Sequence, residues 1–187
     1  FHFYKGAPIL NWIFFYPVEK ILSKYTDTII TINMEDYKRA QKFKAKHVEH
    51  INGVGIDFAE VSNSSVNKEE MKNKLGIPTD GFVILSVGEL NKNKNHEIII
   101  KAIAHLDKTN IYYVICGQGS LYEHLKELAK KLGIFDRVKL LGFRNDVFDI
   151  YKASDVFAFP SKREGLGLSA LEAMANGLPV ITSDVHG

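Results

Sequence analysis

This sequence predicts an α/β fold, a Rossmann-like parallel sheet with helices on both faces, and three observations predict it. From residue 67 onward, five short apolar or β-branched runs alternate with helical stretches, the βαβ pattern of a parallel sheet. The composition, 45% hydrophobic and 25% charged over 187 residues, is that of a water-soluble globular chain with material for a sizeable core. The turns that follow the strands carry glycine, cations or both, and the opposite turns lack long insertions. In an open parallel sheet, ligands bind at the carboxyl ends of the strands.

The elements follow in order. Residues 1–10 read as a loop and 11–24 as a helix with Trp12, Phe15, Ile21 and Leu22 among its apolar positions; Pro17 is placed to kink or divide it. Residues 28–32 are β-branched and strand-like. Asn33 then caps a helix through Tyr37, Arg39 and Phe43, and 47–51 is a further short strand. The stretch 52–67 holds Gly53, Gly55 and several serines with little apolar periodicity, as a linker or boundary does. Asn67 caps the next helix, with Glu70 placed for a capping box, Gly76 at its end and Pro78 just beyond. Strands are predicted over 82–87, 111–116, 138–141, 156–159 and 180–182, and helices over 95–106, 120–132, 145–151 and 168–175. The domain reading is a remnant at 1–52, a linker at 53–67 and a Rossmann-like domain at 68–187.

Several function classes are disfavoured. A net charge of +2 is too small to argue for nucleic acid. The single cysteine, Cys116, excludes an internal disulfide framework, fits a reducing compartment and reads as a core residue. The histidines lack metal-ligand spacing and no Asp-x-Asp pair is present, so no metal is expected. No signal peptide is evident, and the apolar run 9–16 is too short to span a bilayer. That run reads as a helix packed in the core or on another domain, with docking on a membrane surface as the alternative. The chain opens without Met and stops just after a strand, so a piece of a longer protein is expected.

The chemistry gathers after the strands. Gly88-Glu89-Leu90 with Lys92 and Lys94 follows the first, Gly117-Gln118-Gly119 the second, Gly142-Phe143-Arg144 the third, and Ser161-Lys162-Arg163 with Glu164 the fourth. A nucleotide diphosphate across the rim would need such groups. Gly117-x-Gly119 invites a dinucleotide-cofactor reading but lacks the third glycine, where Tyr122 stands. The densest stretch runs from Glu164 to Gly177. Gly165 and Gly167 let the backbone approach a ligand, and the free amides near Gly167 and Leu168 suit an anion. The helix behind them is apolar on nearly every face, which predicts burial, and Glu172 inside it therefore requires a partner such as paired hydroxyls.

These residues resemble the retaining glycosyltransferases of family 4, which have the GT-B fold of two facing Rossmann-like domains. The resemblance rests most on Glu164-x7-Glu172 with its glycine-rich loop and on Gly177-Leu178-Pro179-Val180. Val87 to His96, V-G-E-L-N-K-N-K-N-H, is similar to members that build capsular or extracellular polysaccharide. It implies the C-terminal donor domain of a GT-B enzyme plus a remnant of the N-terminal, acceptor-side domain. Glu172 would bind the ribose hydroxyls and Glu164 the donor sugar near the reacting centre. Backbone amides of Leu166, Gly167 and Leu168 would hold sugar and diphosphate, Lys94 would offset charge on the leaving phosphate, and Phe143 and Arg144 would line the base pocket. Glu89 stands where many members have an arginine, and Lys92 is the expected substitute; Gly88 belongs to the same donor-side turn. His2 is expected on the acceptor side or in a structural role.

The implied enzyme is a hexosyltransferase type with no cofactor, using a nucleotide diphosphate sugar, with UDP favoured, and a sugar or lipid-linked sugar acceptor. It would be cytoplasmic, at the inner face of the membrane through peripheral association of the full-length protein, and this chain alone would be inactive. The rival readings are a non-catalytic nucleotide-sugar-binding module and a GT-B nucleotide-sugar epimerase.

Overall fold

The structure, a computed structural model, describes the whole chain except residues 5, 54, 63–65, 107 and 185–187, and the side chains of residues 60 and 62. It divides into two compact units, residues 1–54 and 55–186. The linker expected over 53–67 lies in part outside the described residues.

The first unit contains α1 (Ile9–Leu22), β1 (Thr28–Thr31), α2 (Met34–Ala40) and β2 (His47–His50). The strands pair in parallel, Thr28 opposite His47. Asn33 caps α2 as its position predicts, its side-chain oxygen accepting from the Asp36 amide at 2.8 Å. The helix stops at Ala40, short of the predicted Phe43, because the Phe43 amide turns back to the Ala40 carbonyl. The core is aromatic. Phe3 is fully buried beside Trp12, Tyr16 and Phe43, and the Arg39 guanidinium lies 5.8 Å from the Phe3 and Trp12 rings, paired with Glu35 and Asp36. Pro17 sits inside α1 without dividing it. No residue of α1 is fully buried: Trp12 and Tyr16 face the aromatic core, while Ile9, Leu10, Ile13 and Phe14 are exposed, so the run 9–16 packs on the core through one face only. The His2 ring stacks on that of Phe15, their centres 4.7 Å apart.

The second unit is the parallel α/β layer. It begins with α3 (Phe58–Ser62), a short helix in a stretch the sequence suggested was irregular. Its start is explained by Asp57, whose carboxylate accepts from the Ala59 amide at 2.9 Å. In α4 (Lys68–Lys74), the Asn67 side chain accepts from the Glu69 and Glu70 amides, but Glu70 pairs with Lys74. Five strands follow: β3 (Phe82–Val87), β4 (Ile111–Cys116), β5 (Val138–Gly142), β6 (Val156–Phe159) and β7 (Val180–Thr182). They form one parallel sheet in the order β5-β4-β3-β6-β7. The intervening helices are α5 (His96–His105), α6 (Tyr122–Lys131), α7 (Val147–Ala153) and α8 (Leu168–Ala175).

Side-chain alternation along the strands builds a core on each face. Val83, Leu85, Val114 and Cys116 pack with residues of α4, α7 and α8, while Tyr113 and Ile115 pack with those of α5 and α6. The expectation that α8 is buried fails: Ala173 is its buried residue, and Met174 is 62% exposed. The helix is apolar all round, but it rests on the sheet through one side only. The strand order carries the functional consequence. The chain runs outward from β3 through β4 to β5, then crosses back to start β6 on the other side of β3. The carboxyl ends of β3 and β6 are therefore neighbours at a topological switch point.

Candidate active site

The two loops at that switch point are tied together. The Lys162 amide donates to the Asn93 carbonyl at 2.8 Å, and the Asn93 side chain donates to the Arg163 carbonyl at 2.8 Å. Asn95 ends the β3–α5 loop in the left-handed region at φ 53°, a conformation asparagine tolerates better than most residues. The Asn91 side chain accepts from the Asn93 and Lys94 amides, which curls the loop and brings Lys94 back over the strand end.

There Lys94 meets Glu164. Their Nζ and Oε1 atoms are 2.6 Å apart, and both side chains are largely shielded, at 21% and 16% exposure. The ammonium also lies 5.2 Å from the centre of the Phe159 ring at the end of β6. Gly88 gives Lys94 room to lie close to the strand end, since a Cβ there would stand 3.1 Å from the Lys94 Cε and the side chain would have to shift. The two residues expected to be catalytic, seventy positions apart, thus form one ion pair at the rim.

The loop after Glu164 enters α8 through Gly167, which has φ 66° and would press a Cβ to within 3.4 Å of the Phe159 ring. Among the described residues, the backbone amides of Leu166, Gly167 and Leu168 donate to no protein acceptor. Three unpaired amides at a helix entrance fit an anion. Gly165 is exposed at a bend beside them. Just before the loop, the Ser161 hydroxyl is buried without a hydrogen-bond partner among the described residues.

Glu172 is half-buried, and its partner is Tyr151, whose hydroxyl lies 3.1 Å from Oε2. Burial raises the Glu172 carboxyl above the ordinary glutamate value, and the tyrosine bond works against that rise. At the far side of the rim, Phe143 is 72% exposed after β5, and Arg144 is clamped bidentately by Asp146 at 2.7 and 2.5 Å. Lys92 does not join the Lys94–Glu164 pair. It lines a cleft of about 190 Å³ with Asn91, Asn95, His96 and Lys162. Glu89 is exposed, and its carboxylate has no ion pair among the described residues.

The Gly117-x-Gly119 turn has a different use. A Cβ on Gly117 would lie 1.9 Å from the Gly88 carbonyl oxygen, and one on Gly119 2.5 Å from the Leu90 oxygen. These glycines let the β4–α6 turn press against the β3–α5 turn, where Leu90 donates to Gln118 and Leu121 to Leu90. Cys116 is a core residue as predicted, its thiol pushed up to about 12 by burial. No group of three metal-ligating side chains occurs among the described residues.

A buried polar chain beneath the rim escaped the sequence reading. The Ser86 hydroxyl donates to the Ala158 carbonyl at 2.6 Å, and the Tyr113 hydroxyl donates to Ser86 at 2.9 Å. The Tyr113 hydroxyl also lies 3.1 Å from His96 Nδ1, and His96 Nε2 lies 3.3 Å from the Glu89 carbonyl, which can only accept. Burial holds His96 near pKa 4, so the ring is neutral at pH 7. The chain links β3, β4, β6 and the start of α5 directly under Lys94. Ser86 and Tyr113 lie within predicted strands, and His96 reads as a helix-start residue within reach of the site or without chemistry; Tyr151 gave no signal beyond its place in a helix.

Comparison with known proteins agrees with this geometry. The family model described as "Glycosyl transferases group 1" matches residues 67–187. EpsD of Bacillus subtilis, assigned to the glycosyltransferases, is 39% identical over 194 residues, covering 100% of this chain and 50% of that protein. The UDP-Gal:alpha-D-GlcNAc-diphosphoundecaprenol alpha-1,3-galactosyltransferase of Escherichia coli is 37% identical over 139 residues, 71% of this chain and 36% of that one. The chain spans half or less of the length of these relatives. Among solved structures, Anabaena HepE in complex with UDP and glucose superposes with TM-score 0.80 at 24% identity over 91% of this chain and 48% of that one, a likeness of fold alone. WaaG, a glycosyltransferase involved in lipopolysaccharide biosynthesis, superposes with TM-score 0.72 at 27% identity over 86% of this chain and 44% of that one.

Proposed function

Because the chain belongs to the group 1 glycosyl transferases, we propose that it carries the donor half of a family 4 enzyme. That enzyme transfers a hexose from a nucleotide diphosphate to a hydroxyl acceptor, with retention of configuration, in surface polysaccharide synthesis. The second unit has the Rossmann-like fold of the GT-B glycosyltransferases. The observation that carries the proposal is the Lys94–Glu164 pair at the β3/β6 switch point, beside three unpaired amides at the start of α8.

The diphosphate sits against the amides of Leu166, Gly167 and Leu168, with Lys94 supplying a shielded cation. Glu164 accepts from hydroxyls of the donor sugar, Glu172 from the ribose, and Phe143 and Arg144 border the base. Gly88 keeps Lys94 close to the strand end, and Gly165 keeps the loop clear of side chains. The bond from the anomeric carbon to the phosphate oxygen breaks, and the bond to the acceptor oxygen forms on the same face. The acceptor's proton passes to the leaving phosphate, and no enzymic base is required. Lys94, fixed before the reaction by Glu164 and the Phe159 ring, then faces the developing negative charge without having to reorganise.

UDP is the favoured carrier, through the association with polysaccharide synthesis and the named donor of the E. coli relative. A lipid-linked sugar is the favoured acceptor, as that relative's name and its Campylobacter jejuni counterpart's indicate for those proteins. Such an enzyme works in the cytoplasm at the membrane's inner face. Peripheral association of the full-length protein is part of this proposal; no helix among the described residues is long and apolar enough to cross a membrane.

The test uses the full-length protein with a panel of nucleotide sugars and acceptors. Acceptor-dependent release of nucleotide supports transfer. Interconversion of sugars without acceptor shows an epimerase, and binding without either shows a non-catalytic module. Glu164→Ala is expected to lower turnover by about 100-fold or more with little change in donor affinity. Glu172→Ala is expected mainly to weaken donor binding. Unchanged behaviour of both variants sinks the assignment.

A further inference from the structure

Glu172 has one oxygen engaged and one open. Oε2 lies 3.1 Å from the Tyr151 hydroxyl. Oε1 has no hydrogen-bond partner among the described residues, and no cation among them pairs with the carboxylate. Tyr151 itself has no freedom to move. It is fully buried, its ring centre 5.6 Å from that of Phe157 and 6.4 Å from that of Phe148.

The phenol has one proton and two acceptors within reach, since the Ser169 carbonyl lies 3.0 Å away. Ser169 stands in the first turn of α8, where the helix provides its carbonyl with an amide four residues on. The ionised carboxylate is the stronger acceptor and has no other protein donor. The phenol is thus shared between the two acceptors, and among the described residues it is the donor that holds the Glu172 side chain. Without this tie, a glutamate on a half-exposed helix face would sample several rotamers, and a ligand would have to order it on binding.

We infer that Tyr151 is a positioning residue for nucleotide binding: its hydroxyl, fixed by α7 and β6, ties Oε2 of Glu172 and holds the carboxylate ready for a ligand's vicinal hydroxyls. This rests on the reading of Glu172 as the ribose-binding group, and the experiment separates the two.

Calorimetry on the chain with UDP, GDP and their 2′,3′-dideoxy counterparts tests it. Tyr151→Phe keeps the ring and is expected to weaken binding of the ribonucleotide roughly three- to tenfold, with the dideoxy form unchanged within about twofold. Glu172→Ala is expected to show the same selectivity with a larger loss, and Tyr151→Phe should add nothing to it in the double variant. Glu172→Asp keeps the charge but withdraws it from Tyr151 and from the ribose alike, and should lose at least as much ribonucleotide affinity as Tyr151→Phe. That arm decides the matter if Tyr151→Phe fails to fold: unchanged ribonucleotide affinity in Glu172→Asp overturns the inference. Equal losses for ribo and dideoxy ligands in Tyr151→Phe, with Glu172→Ala selective, overturn the positioning role and leave the ribose reading standing. A non-selective Glu172→Ala, or no binding of UDP or GDP by the unaltered chain, overturns the ribose reading and this inference with it.

Discussion

At the scale of single residues, the rim depends on glycines for closeness as much as on its charges. Gly117 is the sharpest case. An added methyl would overlap the Gly88 carbonyl, a backbone atom that cannot swing aside, so Gly117→Ala is expected to cost at least about 2 kcal/mol. A thermal melt checks this, and an unchanged melting temperature would contradict the packing account. Glu89 poses a separate question. Its carboxylate is exposed and has no ion pair among the described residues, so Glu89→Arg removes nothing the fold uses. UDP binding is expected to tighten by about three- to tenfold if the position only lacks a cation. No gain in calorimetry would mean that Lys92 and Lys94 leave no vacancy there. The residues of the proposed site were legible as types: Glu164, Glu172, Lys94 and the glycines. Tyr151 was not, because nothing in sequence pairs a helix tyrosine with a carboxylate twenty-one positions on.

At the scale of elements, five strands and their helices fall where alternation placed them, and β3, β4, β6, α8 and β7 match their predicted limits. Differences arise where local signals compete. α3 forms on an Asp57 cap that a glycine- and serine-rich context obscured. The burial of α8 was misjudged because an all-apolar pattern shows what a helix can cover, but not whether anything lies on its far side. The polar chain Ser86–Tyr113–His96 joins three strands and one helix, and it carries a pH prediction. The folded state holds His96 neutral down to about pH 4, whereas the unfolded chain protonates near its ordinary value of 6.5. Below that value the unfolded state binds the extra proton, so stability present above pH 6.5 declines as pH falls towards 4, by about 3 kcal/mol in all. Denaturant titrations at pH 7 and 4.5 should show this loss in the natural chain and much less of it in His96→Asn. Tyr113→Phe leaves His96 and Ser86 without their shared partner and is expected to cost about 1–3 kcal/mol.

At the scale of the whole molecule, every residue assigned to the donor site lies within residues 55–186, which have their own two-faced core. Residues 55–186 produced alone are therefore expected to unfold cooperatively and to bind UDP within about twofold of the whole chain; a large loss in calorimetry would place part of the site in residues 1–54. By itself the sequence determined the element types, the parallel character of the sheet and the residue types that line the rim. Each of these follows from local periodicity, caps and residue type, which short stretches of chain carry. Only the tertiary structure decided that β6 lies beside β3 and not beyond β5, and that Lys94 therefore meets Glu164. It also decided that Gly117-x-Gly119 is a packing contact, and that Tyr151 reaches Glu172. Strand order and side-chain contact depend on how separate elements fill space against one another, and no spacing along the chain encodes that directly.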